Sequence, residues 1–185
     1  LASAIAPATT RDEPVTGSLT ANVTPFDGLT FYGGYVRGFE EVPVAPANAA
    51  NRGEAPPAIM TDQADLGIRY GILPGMTLVA GIFSITKPYF NVDDDALYRE
   101  LGSSRNRGAE FSLSGSPLPG FTVVAGTVLL DATVQGELVE TGVIGPRPIG
   151  SIKRRSTVNL DWRLGGGTSP LSFDEIGRAS CRERV

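Results

Sequence analysis

Three features of the 185-residue sequence predict an all-β fold: an antiparallel up-and-down transmembrane β-barrel segment, about seven to eight strands of a larger barrel and not a complete one. The 23 glycines and 14 prolines, against 8% aromatic and 19% charged residues, favour many short strands with frequent turns over packed helices. The connections between strand-like segments alternate between short and long. Outer-membrane barrels have short periplasmic turns and longer extracellular loops, whereas a soluble sandwich has no reason to place every long connection at one end. Several segments also alternate apolar and polar residues with period two. At roughly ten residues of about 3.3 Å each, tilted near 45°, such a strand crosses an apolar band of about 25 Å.

The first two segments, 15–24 and 29–38, are joined by the tight Pro25-Phe26-Asp27-Gly28. A long connection, 39–60, leads to 61–70, where Leu66, Ile68 and Tyr70 alternate with Asp65, Gly67 and Arg69. The short 71–76 precedes a segment at 77–86 that is apolar on both sides, with Leu78 and Ile82 opposed to Val79, Phe83 and Ile85, so pattern alone does not assign its faces. After the long 87–106 comes 107–114, in which Ala109, Phe111 and Leu113 alternate with Gly108, Glu110 and Ser112. The short 115–121 leads to 122–131, again two-sided, and the long 132–155 to 156–164. In that last segment Val158, Leu160, Trp162 and Leu164 alternate with Thr157, Asn159, Asp161 and Arg163. A short 165–170 precedes an eighth segment starting near Leu171. Every short turn holds Pro and Gly, and Gly28, Gly75 and Gly120 are expected to supply positive φ there. Tyr70 and Trp162 fall near the short-turn ends, where an aromatic girdle meets the membrane interface.

The formal net charge is -4, and only Lys153, Arg154 and Arg155 form a basic cluster, too few for a nucleic-acid or anionic-lipid surface. There is no apolar run of about 18 residues, hence no transmembrane helix. Residues 1–8 faintly resemble the end of a signal peptide without its basic start, and are read as the interior of a longer chain. Histidine is absent, which excludes Ser-His-Asp catalysis, His-liganded metals and a His proton switch within this chain. It is therefore read as no enzyme, with no catalytic, cofactor or metal site assigned. The Asp93-Asp94-Asp95 run lacks the ligand spacing and glycine of a calcium loop and is read as a solvated loop. The Lys153-Arg154-Arg155 cluster suits lipopolysaccharide phosphates or an anionic ferric chelate, but a snorkelling, solvated strand end is preferred. Residues 175–185, EIGRASCRERV, resemble the translation of a sequencing-library adapter. Setting them aside removes the single cysteine, Cys181, and leaves 13 basic and 18 acidic residues, a net charge of -5, with 1–174 as the barrel segment.

The residues then suggest a family. Residues 29–39, LTFYGGYVRGF, followed by a Pro- and Asn-rich stretch and by Asp62, Gln63, Asp65, Leu66, Gly67, Ile68, Arg69 and Tyr70, resemble the barrel of TonB-dependent siderophore receptors. Two of those acidic positions are Asp where the family usually has Glu. GIFSITKPYF at 81–90, RNRGAEFSLSG at 105–115 and VAGTVLLDATV at 124–134 resemble three further strands of the family in the same order, and the likeness spans 15–173. The resemblance implies a receptor in the outer membrane of a Gram-negative bacterium, with a plug inside a large barrel. Its partners would be a ferric siderophore, the TonB complex acting through the plug, and outer-membrane lipid. Neither the plug nor the outermost barrel strands are expected in this segment. Ligand-contacting residues are unknown, because they vary with the chelator, and only the three long connections, 39–60, 87–106 and 132–155, are nominated. Another outer-membrane barrel, a porin or autotransporter translocator, and a soluble β-sandwich binding module are the alternatives.

Overall fold

The computed structural model describes residues 13–40, 43–148, 151–165 and 171–182. The signal-like residues 1–8 and most of the connection 165–170 lie outside them. Eight strands form one antiparallel sheet in strict sequence order, β1 to β8. They are β1 (Gly17–Phe26), β2 (Leu29–Glu40), β3 (Ile59–Leu73), β4 (Met76–Val92), β5 (Tyr98–Leu118), β6 (Phe121–Gly136), β7 (Ile152–Arg163) and β8 (Ser172–Arg182), with a single helical turn, α1 (Glu137–Glu140), after β6. Order β1 to β8 without closure makes this an up-and-down arc with two free edges.

The short turns explain themselves. Pro74-Gly75 and Pro119-Gly120 each link paired strand ends, Leu73 to Met76 and Leu118 to Phe121. Proline fixes the first turn residue at negative φ, and Gly75 and Gly120 take the positive φ (75° and 78°) that the second position of a type II turn requires. Such turns splay a hairpin compared with the primed types, and the register shifts just inside both turns absorb the mismatch.

Register assigns the faces. Directly paired residues share a side, so Leu19, Phe31, Leu66, Ile82, Ala109 and Leu129 belong to one side, with Tyr35, Ile68, Tyr70, Leu78, Phe111, Val158 and Trp162 on the same side. Asn22, Tyr32, Asp65, Arg69, Glu110, Thr122, Asn159 and Asp161 occupy the other. The apolar side is open rather than packed: Leu66 is 59% and Ile82 60% exposed. A sheet with an uncovered apolar face suits hydrocarbon as its solvent. The two-sided strand is now resolved, since Val79, Phe83 and Ile85 stand opposite Arg69, Asp65 and Gln63 on the polar side. There Phe83 covers Gly108, and the Tyr32 ring covers Gly67 and Gly81. Aromatic rings lying over side-chain-free backbone give these apolar and aromatic residues a local partner without needing the lipid face.

The connection expected at 87–106 differs. β4 runs on to Val92 and β5 begins at Tyr98, so most of that stretch is paired strand and only residues 93–97 form the tip. Pro88 and the polar Ser103, Ser104 and Arg105 carry loop-like sequence, yet Pro88 pairs with Ser103 within the ladder. A membrane crossing needs about 10 residues, and β5 has 21, so the β4–β5 hairpin projects well beyond the apolar band. Likewise β6 extends to Gly136 before α1, shortening the connection expected at 132–155.

Candidate functional site at the long-loop end

Among the described residues, most of the buried apolar side chains gather where the long connections meet. Ala45, Ala49, Leu101, Ala132, Val134 and Leu138 are buried there, while Met76 is buried at the opposite end. The projecting β4–β5 hairpin is the mast to which the other two loops attach. Asn51 binds it like a backbone strand: its side-chain oxygen accepts from the Tyr98 amide (2.8 Å) and its Nδ2 donates to the Tyr98 carbonyl (3.0 Å). The Ala50 amide adds a bond to the Ala96 carbonyl (2.6 Å). The loop is also closed on itself, with Ala45 bonded to Glu54 and Gly53 back to Ala45, both at 2.9 Å.

The tip is built around Asp93. Its Oδ1 accepts from the amides of Asp95 (3.0 Å) and Leu97 (2.8 Å), and Oδ2 accepts from Arg99 Nε. Although the run of three aspartates reads as a solvated loop, the Asp93 side chain is only 7% exposed and organises the turn. Arg99, followed by the Leu97 amide, holds its carboxyl below the usual aspartate range. The same guanidinium reaches Glu137 at 3.1 Å and so ties the tip to α1. The Val134 amide bonds to the Pro146 carbonyl (2.8 Å), folding the last connection against β6.

Between the first loop and the hairpin lies a cavity of about 210 Å³, with Asn51, Pro56, Phe90, Tyr98, Arg99 and Glu100 among its walls. The Phe90 and Tyr98 rings stand 5.8 Å apart, tilted at 42°. Two aromatic faces, a guanidinium and a carboxylate can recognise a small polar aromatic or cationic group, but offer no nucleophile and base pair. Below, on the polar side of the sheet, Lys87 bridges to Glu40 at 3.1 Å, and Thr61 donates to the same carboxylate at 3.2 Å. Parts of all three nominated connections thus converge. Within them residues 41–42 and 149–150 lie outside the described residues. Asn51, Asp93, Arg99 and Glu137 were not singled out as a set by sequence reading, because the contacts of Asn51 with Tyr98 and of Arg99 with Glu137 cross 47 and 38 positions.

The family profile "TonB dependent receptor-like, beta-barrel" matches residues 3–179. The chain belongs to that family. Its fold is shared with the ferric preacinetobactin receptor BauA of Acinetobacter baumannii (TM-score 0.67, 24% identity, 90% of this chain and 25% of that one). It is similar to the ferric-catecholate import receptor Fiu of Escherichia coli K12 (TM-score 0.66, 19% identity, 88% of this chain and 24% of that one). The ferripyoverdine receptor of Pseudomonas aeruginosa also matches (TM-score 0.66, 13% identity, 89% and 25%). This TonB-dependent receptor segment therefore spans about a quarter of the length of those solved receptors. A search of curated protein sequences gives no significant match. The open arc is accounted for: it is part of a barrel wall, and the sequence-predicted fold class stands.

Proposed function

We propose that the receptor containing this segment is an outer-membrane transporter that takes up ferric siderophores at the expense of TonB-coupled energy in a Gram-negative bacterium. The observation that carries the reading is the geometry of the wall within a family match over 3–179: an uncovered apolar face, a polar face, and long connections packed together at one end only. On this reading the apolar face meets lipid, the polar face lines the lumen, and the packed loops form part of the outer mouth. The open sheet itself argues for neighbouring strands, because each unpaired backbone group at an edge costs several kcal/mol in hydrocarbon. On this reading the segment contributes selection and gating rather than bond making.

The test is uptake of radioactive iron, presented as a panel of ferric chelates, by iron-starved cells expressing the intact gene, with and without functional TonB. Saturable uptake of at least one chelate that vanishes without TonB supports the proposal. Passage of small solutes that is indifferent to TonB would instead make the barrel a porin.

We further propose that residues 175–185 are foreign to the receptor, which ends its genuine sequence here at 174. What supports this is the facing of β8. Phe173 pairs with Trp162 on the apolar side, but Glu175 then stands beside Leu160 on that side while Ile176 pairs with Asn159 on the polar side. The alternation breaks at 175 and 176, where the adapter-like sequence starts, and resumes with Gly177 and Ala179 on the apolar side and Arg178 and Ser180 on the polar side, while strand pairing continues and the family match runs to 179. Resequencing the gene across codon 175 tests it: an apolar residue there supports the reading, and Glu175 followed by the same tail refutes it.

A further inference from the structure

The sheet and the structure above it meet at one level. The β4–β5 ladder shifts register between Tyr89 and Phe90, which leaves Leu101 without a partner, and β6 makes its last pair with β5 at Gly102↔Gly136. Both glycines hold positive φ, 152° and 135°. A Cβ on Gly102 would run into the Gln135 carbonyl, and one on Gly136 into that of Leu101. A bulge bends and twists the strand that carries it, and paired glycines leave the strands no side chains to brace that bend. Above this level the β4–β5 hairpin continues as a two-stranded ribbon, a form that is marginally stable by itself.

Two neighbours hold the ribbon. The first long connection joins β2 to β3, yet Asn51 grips the Tyr98 main chain on β5 and the Ala50 amide bonds to Ala96, so the loop reaches past β4 to the strand beyond. Ala96, whose carbonyl receives Ala50, keeps a φ of 60° that L side chains rarely adopt. Such a residue persists only where its surroundings over-determine it. The second neighbour is α1, joined through Glu137 to Arg99 and by Arg99 to Asp93 in the tip. A single helical turn does not hold by itself; here Leu138 is buried, and the Val143 and Ile144 amides both close onto its carbonyl. From Asn51 to Glu137 the path of contacts runs through Tyr98 and Arg99, adjacent residues on β5.

We infer that the first connection, the hairpin tip and α1 are latched into one cap that turns on the wall at Gly102 and Gly136, instead of three loops that move separately. A contact made by one connection then biases the other two, because all three share a single set of positions. The inference rests on the barrel reading, which places this end outside the membrane, and not on siderophore transport.

The test uses the intact receptor in detergent, with no chelate added. Hydrogen exchange is read at amides remote from each substitution. Asn51→Ala should speed exchange about three-fold or more at Val143 and Ile144 beside α1, and Arg99→Gln should do the same at Ala45 and Gly53 in the first connection. Arg105→Gln, on the wall below the hinge, should change neither. Independently of those variants, spin labels at the exposed Asn48, Asp94 and Glu140, with a reference at the exposed Leu118 in a short turn, report distances by pulsed electron resonance. Distributions within the cap should be narrow, and those from the cap to Leu118 broader. Exchange changes confined to the connection that carries the substitution, or distributions of equal width within the cap and across the hinge, would overturn the inference. Both readouts are taken without iron, so a loss of uptake would bear on the transporter reading and leave the cap standing.

Discussion

Placing a charge on the apolar face tests the facing of the whole sheet, and Leu66→Arg is the most informative place to put it. Leu66 lies on β3 between Gly33 and Ile82, all on the apolar side, and its side chain is 59% exposed. From the girdle residue Tyr70 up to Leu66 the strand rises about 13 Å, or about 9 Å of depth at 45° tilt, which approaches the middle of a band about 25 Å thick. A guanidinium near that depth costs roughly 2 to 4 kcal/mol, which lowers the folding equilibrium constant roughly 30- to 700-fold. Gln63→Arg, three positions back on the polar side, adds the same side chain where the wall meets water, and is expected to change stability by under about 0.5 kcal/mol. The assay is reversible denaturant unfolding of the intact receptor in lipid vesicles, read by gel mobility with and without heating. Equal midpoints for the two variants, or the larger loss in Gln63→Arg, would refute the facing assignment.

Other consequences follow from single contacts. Asn51→Ala removes two bonds to the Tyr98 backbone, and at about 0.5 to 1.5 kcal/mol each the first loop should exchange its amides roughly ten-fold or more faster while the transmembrane strands keep theirs. The Asp93 carboxyl is held below its ordinary value, so its contribution to the tip is complete above the ordinary aspartate range, about 3.9, and is lost as pH falls through its depressed value. Protease resistance at 93–97 should accordingly be flat from neutral pH to about 5 and decline only in stronger acid; a midpoint near neutrality would contradict the Asp93–Arg99 assignment. Gly67→Val drives a side chain into the Tyr32 ring and should cost about 1 to 3 kcal/mol. Combining it with Tyr32→Ala should recover part of that loss, and full additivity would mean the ring does not cover Gly67.

Where one face of a strand meets hydrocarbon and the other water, the sequence must alternate, and the faces of β3, β5 near Phe111 and β7 were legible for that reason. The short turns were legible because Pro and Gly at fixed places leave the chain few other conformations. The upper halves of β4 and β5 were not, because a hairpin standing clear of the membrane is solvated on both sides and has no apolar period to betray it. Pro88 added a local signal that pointed the wrong way; the loss of one amide donor is tolerated within a long ladder. The polar-side Phe83 of β4 escaped assignment because its partner is a glycine on another strand, Gly108. At the loop end, Asp93 gave no sign of its role, since a carboxylate that caps a turn and one that merely solvates a loop look alike until Arg99 and the Leu97 amide are brought to it.

The most direct test of the central claim, a barrel wall with one lipid face and one lumen face, is a cysteine scan of β3 from Thr61 to Tyr70 in the intact receptor, each site spin-labelled in lipid bilayers. The account predicts oxygen accessibility that peaks at Ala64, Leu66, Ile68 and Tyr70 and accessibility to a water-soluble nickel reagent that peaks at Gln63, Asp65 and Arg69. Profiles without a two-residue period, or with the two reagents exchanged, would contradict it.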